Sequence, residues 1–298
     1  MRRWFAAILG ALSAATPAAS GELASAQDYM DQPQVKADVR IAYGPAPAQV
    51  IDLFLPKAAK GPHPVIVLLH GGCFLAQFQG LAQTSAIAAD LTRHGYAVWN
   101  VDYRKLGEAG AGYPGTFQDV ATAVDRLRVE APKYGLDTRR VIAVGHSAGG
   151  HLALWAAGRS RLPAASPLRT PDPQPIRAVL SLAGIGDLEN QAKVFAIPCG
   201  DDTLERLVGI STRSKPYADT SPAALLPMGV RVVMMHGAYD PVLPPYTGRA
   251  YALMARKAGD RAEVVTLADA GHFDVAMPTT AAWKQVAATV DRLFRDLR

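Results

Sequence analysis

The sequence predicts a single α/β domain in which helices flank a mostly parallel central sheet. Short apolar runs, rich in β-branched residues, alternate with longer segments of helical periodicity, and this alternation is typical of parallel sheets. Glycine-rich loops follow several of the runs, at the sheet edge where open α/β proteins place their functional groups. With 298 residues, 49% of them hydrophobic, the chain is long enough to bury one large core.

A leading hairpin is predicted over residues 39–55, and alternating strands and helices follow it. The strands are the apolar runs 65–69, 97–101, 141–144, 178–182, 230–235 and 263–267. The helices are predicted at 81–94, 116–130, 148–158, 246–258 and 279–297. Residues 187–228 are the main irregular stretch between strands, and the sequence indicates neither repeats nor a second domain.

Residues 1–26 have the pattern of a secretory signal peptide. Two arginines near the start form a positive region, and the apolar residues 4–15 that follow are too few to cross a bilayer. Small residues come next, so cleavage is predicted after Ser20 or after Ala26. Residues 27–298 then form the single domain, and the protein is predicted to be periplasmic or secreted. The alternative is an N-terminal extension of a cytosolic protein.

The most informative motif is Gly145-His146-Ser147-Ala148-Gly149, which lies between a predicted strand and a predicted helix. A serine flanked in this way by glycines is a nucleophile elbow, because small neighbours permit the strained turn that exposes the hydroxyl. The N-terminus of the next helix then favours negative charge at a reacting carbonyl. We therefore predict Ser147 as a catalytic nucleophile. The alternative is a tight turn in a non-catalytic domain.

An acid and a base follow the serine along the chain. Asp240 and His272 both come directly after apolar, strand-like runs, so we expect them at the same sheet edge as Ser147. In this arrangement His272 takes the serine proton and Asp240 orients the imidazole. The second choices are Asp187 for the acid, which also follows an apolar run, and His236 for the base, which also ends a strand.

A His-Gly-Gly loop follows the third predicted strand and completes the candidate site. Its glycines allow bare backbone to approach a carbonyl oxygen, and loops of this kind supply N–H groups to an oxyanion hole. We predict the N–H groups of Gly72, Cys73 and Ala148 as the donors, with His70 and Gly71 supporting the loop. The alternative is a glycine-rich turn without a catalytic role.

In these motifs the chain resembles the α/β-hydrolases, in particular the hormone-sensitive-lipase-like and kynurenine-formamidase-like carboxylesterase branch. The resemblance extends from about residue 50 to the C-terminus and implies an α/β-hydrolase fold with a small lid insertion at about 187–228. The matching segments are His70-Gly71-Gly72, Val101-Asp102-Tyr103-Arg104, 145–152, Ser221-Pro222-Ala223, 236–240 and Gly271-His272-Phe273.

The resemblance favours a serine hydrolase that cleaves a carboxylic ester of a small molecule. An arylformamidase-like amidase is the alternative, suggested by the Gly-His-Ser-Ala-Gly-Gly-His-Leu elbow. A hydrolase-like binding protein without activity is a second alternative, but such a protein is expected to have lost a member of the triad. Peptidases of the prolyl-oligopeptidase type are disfavoured, since they carry a further domain. The acyl group, the alcohol and the oligomeric state stay open.

Composition and the remaining motifs argue against other classes. The net charge is +5, but no basic run with interleaved aromatic residues indicates nucleic-acid binding. No stretch beyond the leader is apolar enough to span a membrane. Residues 110–115 match G-x-G-x-x-G, but polar residues separate them from the preceding strand and Pro114 interrupts the turn, so no nucleotide is expected. No metal-binding spacing occurs, and we expect neither cofactor nor metal.

The chain has two cysteines, Cys73 in the predicted oxyanion loop and Cys199 in the segment 187–228. An even cysteine count in an exported protein favours a disulfide, which would tie these two segments together. The alternative is two separate thiols, one of them buried and inert. The sequence leaves both open.

Overall fold

The computed structural model describes residues 22–57, 60–78 and 80–297, and in them strands alternate with α-helices. The strands are β1 (Val39–Ala42), β2 (Val50–Phe54), β3 (His63–Leu69), β4 (Ala97–Val101), β5 (Leu136–His146), β6 (Ala178–Leu182), β7 (Arg231–Gly237) and β8 (Ala262–Leu267). The helices are α1 (Ala26–Met30), α2 (Ser85–Arg93), α3 (Gly115–Tyr134), α4 (Ala148–Ala157), α5 (Ala192–Cys199), α6 (Thr203–Val208), α7 (Pro245–Lys257) and α8 (Ala281–Arg295).

The strands form one eight-stranded sheet in the order β1-β2-β4-β3-β5-β6-β7-β8. The β1–β2 and β2–β4 pairs are antiparallel, and the other pairs are parallel. The carboxyl ends of β3 and of β5 to β8 therefore meet at one edge. The loops that leave these ends carry the candidate site residues, as expected for an open α/β sheet.

Both faces of the sheet are covered, which explains why its central strands are almost continuously apolar. Successive residues of β3 point to opposite faces, so that Val67 packs in one core cluster and Ile66 in the other. The first cluster includes Leu127 of α3 and Trp155 of α4, and the second includes Leu293 of α8. The predicted mostly parallel sheet flanked by helices is confirmed.

The structure differs from the predicted elements mainly in short helices. Residues 80–84 form a 3-10 helix before α2, whereas the predicted helix begins at residue 81. The segment 187–228 is not irregular throughout, since it contains α5 and α6. These helices have 8 and 6 residues, too few for a helical period to be recognised in the sequence.

Most of the predicted signal peptide, including the cleavage site after Ser20, lies outside the described residues. The other predicted site, after Ala26, falls on the first residue of α1. Ser25 caps this helix in a capping box with Asp28, in which each side chain accepts a hydrogen bond from the backbone of the other residue. Within the part of the chain that the structure describes, no helix is both long and apolar enough to cross a membrane.

Candidate active site

Ser147 occupies the sharp turn between β5 and α4. Its backbone lies in a left-handed conformation, with φ 55° and ψ −120°, and its N–H donates a hydrogen bond of 2.8 Å to the carbonyl of Leu182. The elbow is so tight that a Cβ at Gly149 would lie 2.1 Å from the carbonyl oxygen of Leu69. A Cβ at Gly145 would lie 2.1 Å from the carbonyl oxygen of Gly149. The two glycines are thus a steric requirement of the turn that presents the serine.

Asp240 and His272 are brought together by the loops after β7 and β8. Nδ1 of His272 lies 2.8 Å from Oδ2 of Asp240, and both side chains are buried. The other carboxylate oxygen accepts the N–H groups of Val242 and Leu243, each at 2.8 Å. Because the carboxylate is held on both oxygens, it fixes the imidazole with its proton on Nδ1 and leaves Nε2 to accept one.

The second-choice acid and base do not join this pair. Asp187 accepts hydrogen bonds from the backbone and the side chain of Asn190. His236 is buried, with Nδ1 3.1 Å from the carbonyl of Leu243. Burial lowers the pKa of His236 to about 4. Among the predicted candidates, the geometry therefore supports Asp240 and His272.

The loop after β3 turns through a run of left-handed residues, with φ of 96° at Gly72, 52° at Cys73 and 61° at Phe74. The N–H groups of Gly72, Cys73 and Ala148 donate no hydrogen bond to any other described residue. The loop lies against the nucleophile, since a Cβ at Gly71 would be 3.1 Å from Cβ of Ser147. Among the described residues, three N–H groups without a partner therefore lie in the elbow and in the loop beside it.

His70 holds this loop from beneath. Its ring is fully buried, stacks on Tyr103 with centroids 4.3 Å apart, and contacts Oδ1 of Asp102 through Nε2 at 2.9 Å. The hydroxyl of Tyr103 donates to the carbonyl of His70 at 2.8 Å. Burial acts to raise the pKa of Asp102, but the hydrogen bonds and charges of His70 and Lys105 outweigh burial and lower that pKa. Asp102 is a supporting residue that the sequence indicated only as part of a matching motif.

Cys73 and Cys199 form a disulfide, with their Cα atoms 5.4 Å apart. The sequence left open whether the two cysteines form a disulfide or two separate thiols, and the structure contains the disulfide. It joins the loop that carries the candidate oxyanion donors to the last residue of α5. The segment 187–228 is thereby attached covalently beside the serine.

The serine hydroxyl itself makes no hydrogen bond to His272 or to any other described residue. The two loops are joined instead by His146, whose Nε2 lies 2.9 Å from the carbonyl oxygen of His272. In the sequence, His146 stands only as the residue between Gly145 and Ser147 in the elbow motif. No sequence signal identifies its contact, because the partner is a backbone carbonyl that lies 126 residues away along the chain.

Comparison with known proteins places the molecule among esterase-like chains. A family model described as BD-FAE matches residues 51–253. Esterase LipC of Mycobacterium tuberculosis is 28% identical over 245 residues, which cover 79% of this chain and 60% of that protein. A second relative is ICMEL1 of Arabidopsis thaliana, a probable isoprenylcysteine alpha-carbonyl methylesterase. It is 22% identical over 282 residues, which cover 90% of this chain and 56% of that protein. The chain thus spans less than two thirds of these relatives' length.

Two solved structures share the fold. A truncated carbohydrate esterase from gut microbiota superposes with a TM-score of 0.71 at 21% identity, covering 87% of this chain and 98% of its own. Esterase 2 of Thermogutta terrifontis, phosphonylated by sarin, has a TM-score of 0.71 at 20% identity, covering 89% of this chain and 96% of its own. Together with the strand order, these similarities confirm the predicted α/β-hydrolase fold.

Proposed function

The chain belongs to the BD-FAE family, and on that basis we propose that it is a serine hydrolase that cleaves carboxylic esters through an acyl-enzyme intermediate. One observation carries the proposal: the buried Asp240–His272 pair, at 2.8 Å, lies at the sheet edge where Ser147 stands in its left-handed turn. The relatives, which are named as an esterase and a probable methylesterase, support the same reaction class.

In the proposed reaction, Ser147 Oγ forms a bond to the ester carbonyl carbon while Nε2 of His272 accepts the hydroxyl proton. The tetrahedral intermediate collapses, the bond to the alcohol oxygen breaks, and His272 returns the proton to that oxygen. Water then attacks the acyl carbon while Nε2 of His272 accepts a proton from it. The bond between the acyl carbon and Ser147 Oγ breaks, His272 returns the proton to Oγ, and the acid product leaves. Asp240 keeps its contact with Nδ1 and stabilises the imidazolium in each step.

The negative charge of the tetrahedral intermediate is proposed to bind the N–H groups of Gly72, Cys73 and Ala148. Their freedom from other described partners supports this role. Ala148 is the first residue of α4, so the positive end of the helix dipole adds to the attraction. Loss of one such donor typically lowers kcat by about 10²- to 10³-fold.

We also propose that residues 187–228 form a lid over the site and that the protein is exported. The bridge from Cys199 to Cys73 supports the lid, because it anchors α5 beside the oxyanion loop. The same bridge supports export, since disulfides persist in oxidising compartments. In the exported protein, thiol titration under denaturing conditions without reductant should detect no free thiol.

The test of function is turnover of p-nitrophenyl esters of increasing acyl length, assayed beside an N-formyl aryl amide. We expect hydrolysis of the esters, fastest for short acyl groups, and complete loss of turnover in Ser147→Ala with the fold retained by circular dichroism. Preference for the formyl amide would instead assign an amidase. If the wild type turns over none of these substrates and Ser147 is not labelled by a fluorophosphonate, the alternative of a binding protein without activity is supported.

A further inference from the structure

The contact between the elbow and the histidine loop suggests a role for residues outside the triad. We propose that His146 and the N-terminal arm, residues 22–30, are positioning elements that hold the backbone of the loop after β8, which carries His272, against the nucleophile. Cleavage of the leader after Ser20, the first of the two predicted sites, leaves this arm in the exported protein. The inference rests on the proposed function, since it assigns these residues to the same reaction. Neither group touches the reacting atoms, and both act through His272.

His146 is the direct link. It is the last residue of β5, immediately before Ser147. Its ring centroid lies 4.8 Å from that of His272, and its Nε2 lies 2.9 Å from the carbonyl oxygen of His272. Burial lowers the pKa of His146 to about 3, so the ring is neutral at assay pH. A neutral imidazole facing a carbonyl must carry its proton on Nε2 and donate it. The residue before the nucleophile therefore clamps the backbone of the residue that activates it.

The N-terminal arm packs on the outer side of the same loop. Tyr29 is buried, and its ring centroid lies 5.1 Å from that of His146 and 5.5 Å from that of Phe273. The N–H of Ala24 donates to both carboxylate oxygens of Asp274 at 3.3 Å. One of these oxygens accepts the N–H of Gly271 at 2.8 Å. The arm thus contacts Phe273 and Asp274 directly and is linked to Gly271 through the carboxylate of Asp274.

This backbone support matters because Asp240 holds only the imidazole ring. The hydroxyl of Ser147 has no hydrogen bond to His272, so the separation of the two groups depends on how their loops are held. A displacement of about 1 Å in a reacting group can lower the rate by about 100-fold. His146 and Tyr29 are buried and pack against each other. His146 holds the loop at the carbonyl of His272, and Tyr29 holds it at the ring of Phe273.

The decisive test compares His146→Leu with His146→Gln in the full chain. Leucine fills similar space without a donor, whereas the amide nitrogen of glutamine reaches the position of Nε2. We expect His146→Leu to lower kcat about tenfold or more with little change in KM, and His146→Gln to stay within about threefold of the wild type. Active sites are titrated by the burst of p-nitrophenol, so that unfolded protein is not counted.

Tyr29 supplies an independent pair of variants. Its hydroxyl has no partner among the described residues, so Tyr29→Phe should keep the wild-type kcat per active site. Tyr29→Ala removes the ring contacts and should lower kcat with KM unchanged. Equal kcat per active site in Tyr29→Ala, His146→Leu and the wild type would overturn the inference, as would equal losses in the leucine and glutamine variants.

The same assay separates this inference from the proposed function. Ser147→Ala tests the function, because activity that survives in this variant refutes the nucleophile whatever His146 does. If Ser147→Ala is inactive while His146→Leu turns over like the wild type, the triad stands and only the positioning role is refuted.

Discussion

Removal of the disulfide is expected to destabilise the fold strongly. Cys199→Ser replaces one sulfur with a near-isosteric hydroxyl and opens a covalent loop that joins residues 126 apart in sequence. In the chain-entropy model a loop of this length stabilises the folded state by about 5 kcal/mol. For a domain of this size that free energy corresponds to a decrease in Tm of about 10 °C. Domains are typically stable by only about 5–15 kcal/mol, so the loss is a large fraction of the total.

The assay is urea denaturation followed by circular dichroism, with and without reductant. Wild type in reductant, Cys199→Ser and the double variant Cys73→Ser/Cys199→Ser should lose the same free energy of unfolding, because each lacks the same bond. Ile197→Ser is the matched control: this side chain of α5 is 84% exposed, and its replacement should have little effect. A loss below about 1 kcal/mol in Cys199→Ser would refute the entropic reasoning.

Three further outcomes are expected. Burial lowers the pKa values of His146, His151 and His236 to about 3, 4 and 4. Below about pH 6.5 the unfolded chain therefore binds more protons than the folded protein. The free energy of unfolding should fall by about 4 kcal/mol for each pH unit as the pH decreases from about 6 to 4. Denaturation curves that coincide at pH 7 and pH 5 would contradict this. His272→Ala should reduce kcat to the background rate of Ser147→Ala, and Asp240→Asn should reduce kcat less. Combined variants should lose no more of kcat than Ser147→Ala alone. Additive losses in steady-state kinetics would show that the residues do not act as a unit. Asp102→Ala removes the carboxylate that contacts both Lys105 and His70, so we expect the free energy of unfolding to fall by about 3 kcal/mol and kcat to fall with KM little changed. A wild-type kcat at saturating ester would show that the contact between Asp102 and His70 does not support the oxyanion loop.

Much of the architecture could be predicted because the sheet is buried on both faces. Strands such as β6, Ala178–Leu182, are apolar at nearly every position and are followed by long helical segments, so their periodicity is clear. The parallel arrangement then places the loops after β5, β7 and β8 at one edge. Asp240 and His272 were predicted on that ground, and the structure holds them 2.8 Å apart.

The features that sequence analysis missed depend on tertiary contacts. The helices α1, α5 and α6 are short and have no long amphipathic pattern; α5 is attached through Cys199 to a loop far away in sequence. Asp240 was predicted as the acid with Asp187 as the second choice, because both follow apolar, strand-like runs. The choice between them follows from their partners, since Asp187 accepts hydrogen bonds from Asn190 and Asp240 meets His272.

The most direct test of the central claim is to locate the covalent intermediate. The wild-type protein is treated with a fluorophosphonate, digested with trypsin, and the peptide 141–159, which contains Ser147, is analysed by mass spectrometry. The proposed mechanism predicts one adduct per chain on Ser147, none in Ser147→Ala, and labelling at least about 100-fold slower in His272→Ala. An adduct on another residue of the wild type, or equal labelling rates in the wild type and His272→Ala, would contradict the assignment of Ser147 and His272.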